Sequence, residues 1–190
     1  MIGLKRGTVK LLPHQKEWNE NAEHTIKFLK RLLGNTALDI QHIGSTSILL
    51  IHAKPIIDIA VAVHDVNDIM PYVEALKQRQ QLLHEEAVAG QAFFVIENGD
   101  IRTHHIHIVK WNGADWNNYI NFRDYLNANP EKAMLYGDLK QKLAMQFSHD
   151  RKSYTAGKQG MIGQLLSEAG IWKLKSSYLS GPAVIKADKR

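Results

Sequence analysis

His42-Ile43-Gly44-Ser45-Thr46-Ser47, followed by Ala53-Lys54-Pro55-Ile56-Ile57-Asp58-Ile59-Ala60-Val61-Ala62-Val63, reads as a strand, a turn and a second strand. The segment Leu38 to Ile43 alternates apolar and polar residues, as a half-buried strand does. Gly44 breaks it and lets the backbone approach a ligand closely. The turn that follows is suited to cradling phosphate oxygens with its amides and the Ser45 hydroxyl. Ile56 to Val63 is the strongest strand of the chain, rich in β-branched residues and suited to a central position. Side chains alternate along a strand. Ile57, Ile59, Val61 and Val63 therefore share an apolar face, while Asp58 lies with Ile56, Ala60 and Ala62. An ionised aspartate there is costly to bury unless it is paired or metal-bound. A local cap or ion pair is the ordinary use of such a residue, and small neighbours also leave room for a ligand.

A second polar strand face lies further on. Ile101 to Val109 pairs in sequence with Phe93 to Ile96 across Asn98-Gly99-Asp100, a hairpin turn. Arg102, His104, Ile106 and Ile108 share one face. Thr103, His105, His107 and Val109 share the other. His105 and His107, two apart, have the spacing of two ligands or of a ligand and a base.

Working outward, Thr8 to Leu12 reads as a short strand ended by Pro13. A helix from about His14 to Leu33 carries Trp18, Ala22, Ile26, Leu29 and Leu33 on one face. Asp65 is a helix N-cap for a segment running to about Gln80. Beyond Trp111 the pattern becomes helical, over 114–127, 130–147 and 153–169. The chain thus predicts an α/β (α+β) fold, a mixed sheet packed with helices and followed by a helical part from about residue 114. Residues 1–170 form one domain, and 171–190, which lack periodicity, read as a tail or arm.

Composition narrows the function classes. With 190 residues, 44% of them hydrophobic, the chain is long enough for a real core. The absence of cysteine rules out disulfides and thiolate zinc sites. No run reaches the roughly 18 apolar residues of a membrane span, and no apolar block follows the basic N-terminus. A cytoplasmic location without a membrane partner is expected. The formal charge of +5 favours polyanionic ligands without singling out nucleic acid.

A Gly-Ser turn after one strand, with an aspartate 14 positions on inside the next, is the arrangement of polymerase-beta-type nucleotidyltransferases. The two stretches quoted first resemble the GrpB family, generally placed in that superfamily. The resemblance continues through His104 to Val109, Phe122-Arg123-Asp124-Tyr125-Leu126, Asn129-Pro130, Asp150-Arg151, Tyr154 and Lys158. It covers roughly residues 8 to 169.

The resemblance implies a mixed sheet with helices on one side and a nucleotide pocket over the Gly-Ser turn. Gly44, Ser45 and Thr46 would hold the triphosphate, and Asp58 would be the first metal carboxylate. The superfamily's next carboxylate falls on Ala60, and the strand that supplies the third offers His105 and His107. Mg or Mn is the expected cofactor. A set of Asp58, His105 and His107 also admits Zn or Fe, because imidazole suits transition metals while Mg²⁺ prefers oxygen.

Among the remaining residues, Arg123 and Lys158 are candidates for the outer phosphates. Tyr154, four residues before Lys158 on one helix face, is a candidate for base stacking. Lys54 could neutralise phosphate or pair with Asp58. Trp111, Trp116 and Tyr119 read as packing aromatics.

Three functions fit. One is a metal-dependent nucleotidyltransferase moving a nucleotidyl group from a nucleoside triphosphate to an acceptor, with Asp58, His105 and His107 catalytic. A nucleotide- or metabolite-binding protein without catalysis is the second, motivated by Ala60. The third is a His/Asp metal-dependent hydrolase.

Overall fold

The structure, a computed structural model, describes residues 1–80, 82–88 and 91–179. Its strands are β1 (Leu4–Lys5), β2 (Asp39–Ile43), β3 (Ile57–Val63), β4 (Leu82–Val88), β5 (Gln91–Asn98) and β6 (Ile101–Lys110). Its helices are α1 (Lys16–Leu33), α2 (Val73–Gln80), α3 (Ala114–Ala128), α4 (Pro130–Gln146) and α5 (Arg151–Leu179). The sheet runs β2-β3-β6-β5-β4, with β1 against β6. It is mixed, because β3 and β6 are parallel while the other neighbours are antiparallel. None of the described helices is long and apolar enough to cross a membrane.

The two faces of the sheet have different covers. Ile57, Ile59, Val61 and Val63 of β3 join Ile106 and Ile108 of β6 in a core closed by Trp18, Ala22, Leu29 and Leu33 of α1. On the opposite face Ala60, Ala62, Ile43 and Val109 pack under Trp116 of α3. Helices thus flank both faces, rather than the one side that the resemblance implies. The small Ala60 and Ala62 admit the indole, and α3 covers only that end of β3. The end bearing Asp58 is left open. A separate core joins α3, α4 and α5 around Tyr125, Leu126, Tyr136 and Leu165.

Four segments differ from expectation. Residues 8–12 form no strand beyond a single bridge between Leu12 and Ala53, and the N-terminal strand is β1. Strand β4, which alternates poorly, pairs with the far side of β5. Asp65 does cap, accepting from the Asn67 amide at 2.8 Å, but residues 66–72 form a 3₁₀ turn. Pro71 lies within that turn, and the α-helix starts only at Val73. Helix α5 continues through residues 171–179, the first part of the expected tail or arm, and the Trp172 ring packs 5.9 Å from Tyr125. The remainder of that expected tail, 180–190, lies outside the described residues.

Candidate active site

The open end of β3 sets the site. Ladder pairing places Asp58 opposite Ile43 of β2 on one side and His105 of β6 on the other, with Ala60 opposite His107. Asp58, His105 and His107 thus share one face of two adjacent parallel strands. His105 Nδ1 lies 2.9 Å from Asp58 Oδ1, and His107 Nε2 lies 3.9 Å from the same oxygen. An ionised carboxylate only accepts, so His105 donates from Nδ1. Burial raises the Asp58 pKa, but hydrogen bonding and charge from the two imidazoles outweigh it and hold the group well below the usual carboxylate range.

His107 is fixed from behind. The Tyr119 hydroxyl donates to Gln91 Oε1 at 3.3 Å and lies 3.2 Å from His107 Nδ1. The 3.2 Å contact orients the ring, with Nδ1 toward Tyr119 and Nε2 toward Asp58. Phe93 packs against both imidazoles, at 5.3 Å from His105 and 4.8 Å from His107.

Gly44 has φ +69°, and a Cβ there would overlap the Asp58 carboxylate. The turn of residues 45–47 follows at once, tied by Ser47 Oγ donating to the Gly44 carbonyl at 2.6 Å. Ser45 hydrogen-bonds the Tyr136 phenol, whose pKa burial pushes up to about 12.

Over these groups lies a cavity of about 500 Å³. It is lined by Gly44, Ser45, Asp58, His105 and His107 together with Lys54, Lys140, Arg151, Tyr154 and Lys158. Burial pushes Lys54 down to about 8, with Lys158 and Arg151 adding to the effect. Lys140 is almost fully buried, donates to the His52 carbonyl at 2.7 Å, and is also driven down by burial and by Lys158 and Lys54. Lys158 is lowered by burial, with Asp58 opposing. A cavity that crowds cations at this cost in desolvation suits a polyanion.

Eight of the ten sequence candidates line this cavity: Gly44, Ser45, Lys54, Asp58, His105, His107, Tyr154 and Lys158. Two do not. Thr46 is buried and turned inward, its hydroxyl 2.9 Å from His42 Nε2. Arg123 spends its guanidinium on Asp124 at 2.8 Å, Gln41 at 2.9 Å and the His42 carbonyl at 3.0 Å, bracing α3 against β2. Tyr154 is present but is no stacking platform. It is 1% exposed, with the ammonium groups of Lys158 and Lys54 at 4.6 and 5.3 Å from its ring centroid. It holds the lysines.

Sequence reasoning missed Lys140, Arg151 and Tyr119. Lys140 had a signal, because it falls on the buried stripe Ala133, Tyr136, Gly137 and Leu143 of α4. A lysine on an apolar stripe needs a reason.

The expected metal set of Asp58, His105 and His107 does not converge. Among the described residues no group of three His, Asp or Glu side chains is arranged to hold a metal ion. The cause is the hydrogen bond, since His105 Nδ1 is a donor to Asp58 rather than a second ligand beside it. Asp58 Oδ2, which faces Gly44, remains an oxygen ligand of the kind that Mg²⁺ or Mn²⁺ takes.

Comparison with known proteins identifies the family and the fold. A family model described as GrpB protein matches residues 8–168. The glutamate-rich protein GrpB of Alkalihalophilus pseudofirmus is 38% identical, over 88% of this chain and 99% of its own length. The crystal structure of the conserved protein GrpB from Enterococcus faecalis superimposes with a TM-score of 0.78 at 29% identity, covering 86% of this chain and 99% of that one. Terminal uridylyl transferase 4 from Trypanosoma brucei, with bound dUTP, superimposes with a TM-score of 0.53 at 11% identity. That match covers 87% of this chain and 55% of the transferase, and it shows a nucleotidyltransferase-like fold.

Proposed function

The chain belongs to the GrpB family, and from its cation-walled pocket over Asp58 we propose that it is a nucleotidyltransferase acting on a nucleoside triphosphate. The observation that carries this reading is the convergence of Lys54, Lys140, Arg151 and Lys158 on a cavity floored by Gly44, Ser45 and Asp58. The lysines and Arg151 bind the β- and γ-phosphates and neutralise the departing pyrophosphate. Gly44 lets the α-phosphate approach Asp58. A divalent ion held by Asp58 and the phosphates would supply further charge neutralisation there. His107 takes the proton of the attacking hydroxyl at Nε2, and the resulting imidazolium lies beside Asp58. His105 keeps Asp58 oriented through its 2.9 Å hydrogen bond.

The test is a thermal-shift series with nucleoside triphosphates, with and without Mg²⁺ or Mn²⁺, paired with an assay of pyrophosphate release. Triphosphates raise the unfolding midpoint of the wild type and of Asp58→Asn, while release falls at least a hundredfold in Asp58→Asn and His107→Gln. A wild type that binds no triphosphate sinks the reading. One observation favours a binding protein without catalysis, namely Ala60 where the superfamily has a carboxylate. On that reading binding persists in Asp58→Asn and the wild type releases no pyrophosphate.

A further inference from the structure

The pocket has a second lobe, of about 330 Å³, that the nucleotide site leaves unassigned. It shares Gly44, Ser45, Asp58, Tyr119 and Ile162 with the first lobe and is completed by Asp115, Asn118, Phe122, Tyr136 and Leu166. Charge separates the two. The first lobe is lined by Lys54, Lys140, Arg151 and Lys158. Among the described residues the second is lined by two carboxylates, Asp58 and Asp115, and by no lysine, arginine or histidine. Asp58 lines both lobes and so lies on their boundary.

Helix α3 builds this lobe. Asp115, Asn118, Tyr119 and Phe122 follow at helical spacing from its first turn, so they present one face toward Asp58. The Phe122 ring is fixed edge-on against Tyr136, with centroids 5.5 Å apart. Tyr119 stays a neutral phenol, since burial, Asp115 and Asp58 together push it up to about 12. Aromatic faces beside a carboxylate attract cations and repel phosphate.

We infer that the second lobe binds the acceptor, and that the acceptor is a small hydroxyl compound carrying a protonated amine, such as an amino alcohol or amino sugar, not a nucleic-acid end. The inference rests on the nucleotidyl-transfer reading. Asp115 holds the ammonium, and Tyr119 and Phe122 flank it. The acceptor hydroxyl oxygen attacks the α-phosphorus. An O–Pα bond forms, and the bond from Pα to the bridging oxygen of Pβ breaks. Pyrophosphate departs with that electron pair, and the hydroxyl proton passes to His107 Nε2.

The test uses the full chain with ATP and Mg²⁺ or Mn²⁺, and with glucosamine, 2-aminoethanol, glucose, N-acetylglucosamine and a short RNA oligonucleotide as acceptors. Pyrophosphate release and the mass of the nucleotidylated product are followed. Release rises at least tenfold with an amine-bearing probe over its uncharged counterpart. Asp115→Asn raises KM for the amine at least tenfold while the ATP-induced thermal shift stays within twofold of wild type. Asp115→Glu recovers part of the loss. Extension of the RNA, equal use of glucose and glucosamine, or no stimulation by either amine overturns the inference while ATP binding survives. A change in nucleotide preference in Asp115→Asn, with acceptor use intact, also overturns it and assigns the lobe to the base. Failure of ATP to shift the wild type sinks the transfer reading itself.

Discussion

Lys54 carries its charge into a cavity that already holds Lys140, Lys158 and Arg151, and burial pushes it down to about 8. The sign of the consequence follows from that direction. Below pH 8 Lys54 is charged and binds phosphate, and above it the charge is lost. A hydrogen bond to a charged group contributes about 1.5–3 kcal/mol, so triphosphate affinity falls roughly ten- to a hundredfold as pH rises through 8. Titration calorimetry from pH 6.5 to 9.5 shows this step in the wild type and not in Lys54→Met. Folding responds oppositely. The lysine is lowered on folding, so its destabilising contribution is complete below pH 8 and is relieved as pH rises toward its unfolded value of 10.5. Lys54→Met therefore unfolds at a higher temperature than wild type at pH 7 while binding more weakly. A lower midpoint together with unchanged affinity would refute a phosphate role for Lys54.

Strand β3 shows why the carboxylate that the resemblance implies at position 60 has no room there. Ala60 lies on the Asp58 face but is fully buried beneath Trp116, Tyr119 and Ile120 of α3. An acidic side chain there would displace the indole and bury a charge without water, beside a His107 ring already held by Tyr119 and turned toward Asp58. Ala60→Asp is therefore expected to lose about 3–5 kcal/mol in urea unfolding, the cost of an uncompensated buried charge, and to gain no transfer activity. A stable, more active variant would show that α3 can move aside. The same strand marks how far the sequence could be read. Its alternation placed Asp58 on the face shared with Ala60 and Ala62, and the pattern of β6 placed His105 and His107 on one face, because period-2 patterning is local. The partners from α4 and α5 were out of reach. Lys140 and Arg151 arrive at Asp58 by helix packing, and no local pattern encodes that distance. Arg123 was misplaced for a related reason. Its guanidinium is spent on Asp124, Gln41 and the His42 carbonyl, contacts that exist only once α3 lies across β2.

At the scale of the whole molecule the site is a seam. The sheet supplies Asp58, His105 and His107, and the helical part supplies Lys140, Arg151 and Lys158. Contacts hold the two together near the seam. Lys140 reaches the His52 carbonyl, Gly137 lies against Ile51, and Val9 packs with Leu143 and Tyr154. Around the cavity Lys158 and Arg151 repel Lys54, and Lys158 and Lys54 repel Lys140, so the crowded cations weaken the seam until an anion enters. A triphosphate bound there contacts both parts and should stiffen both. At a hundredfold excess over Kd it adds about 2.7 kcal/mol to the unfolding free energy. Hydrogen exchange then slows in α4 and α5 as well as in β3, because opening either part exposes the ligand. In Lys158→Ala the sheet keeps Asp58 and Gly44, but the protection gained by α5 at equal fractional saturation is smaller than in wild type. Protection confined to β2, β3 and β6 at saturating triphosphate would mean that the ligand rests on the sheet alone, and the helical lysines would then be left without a role in binding.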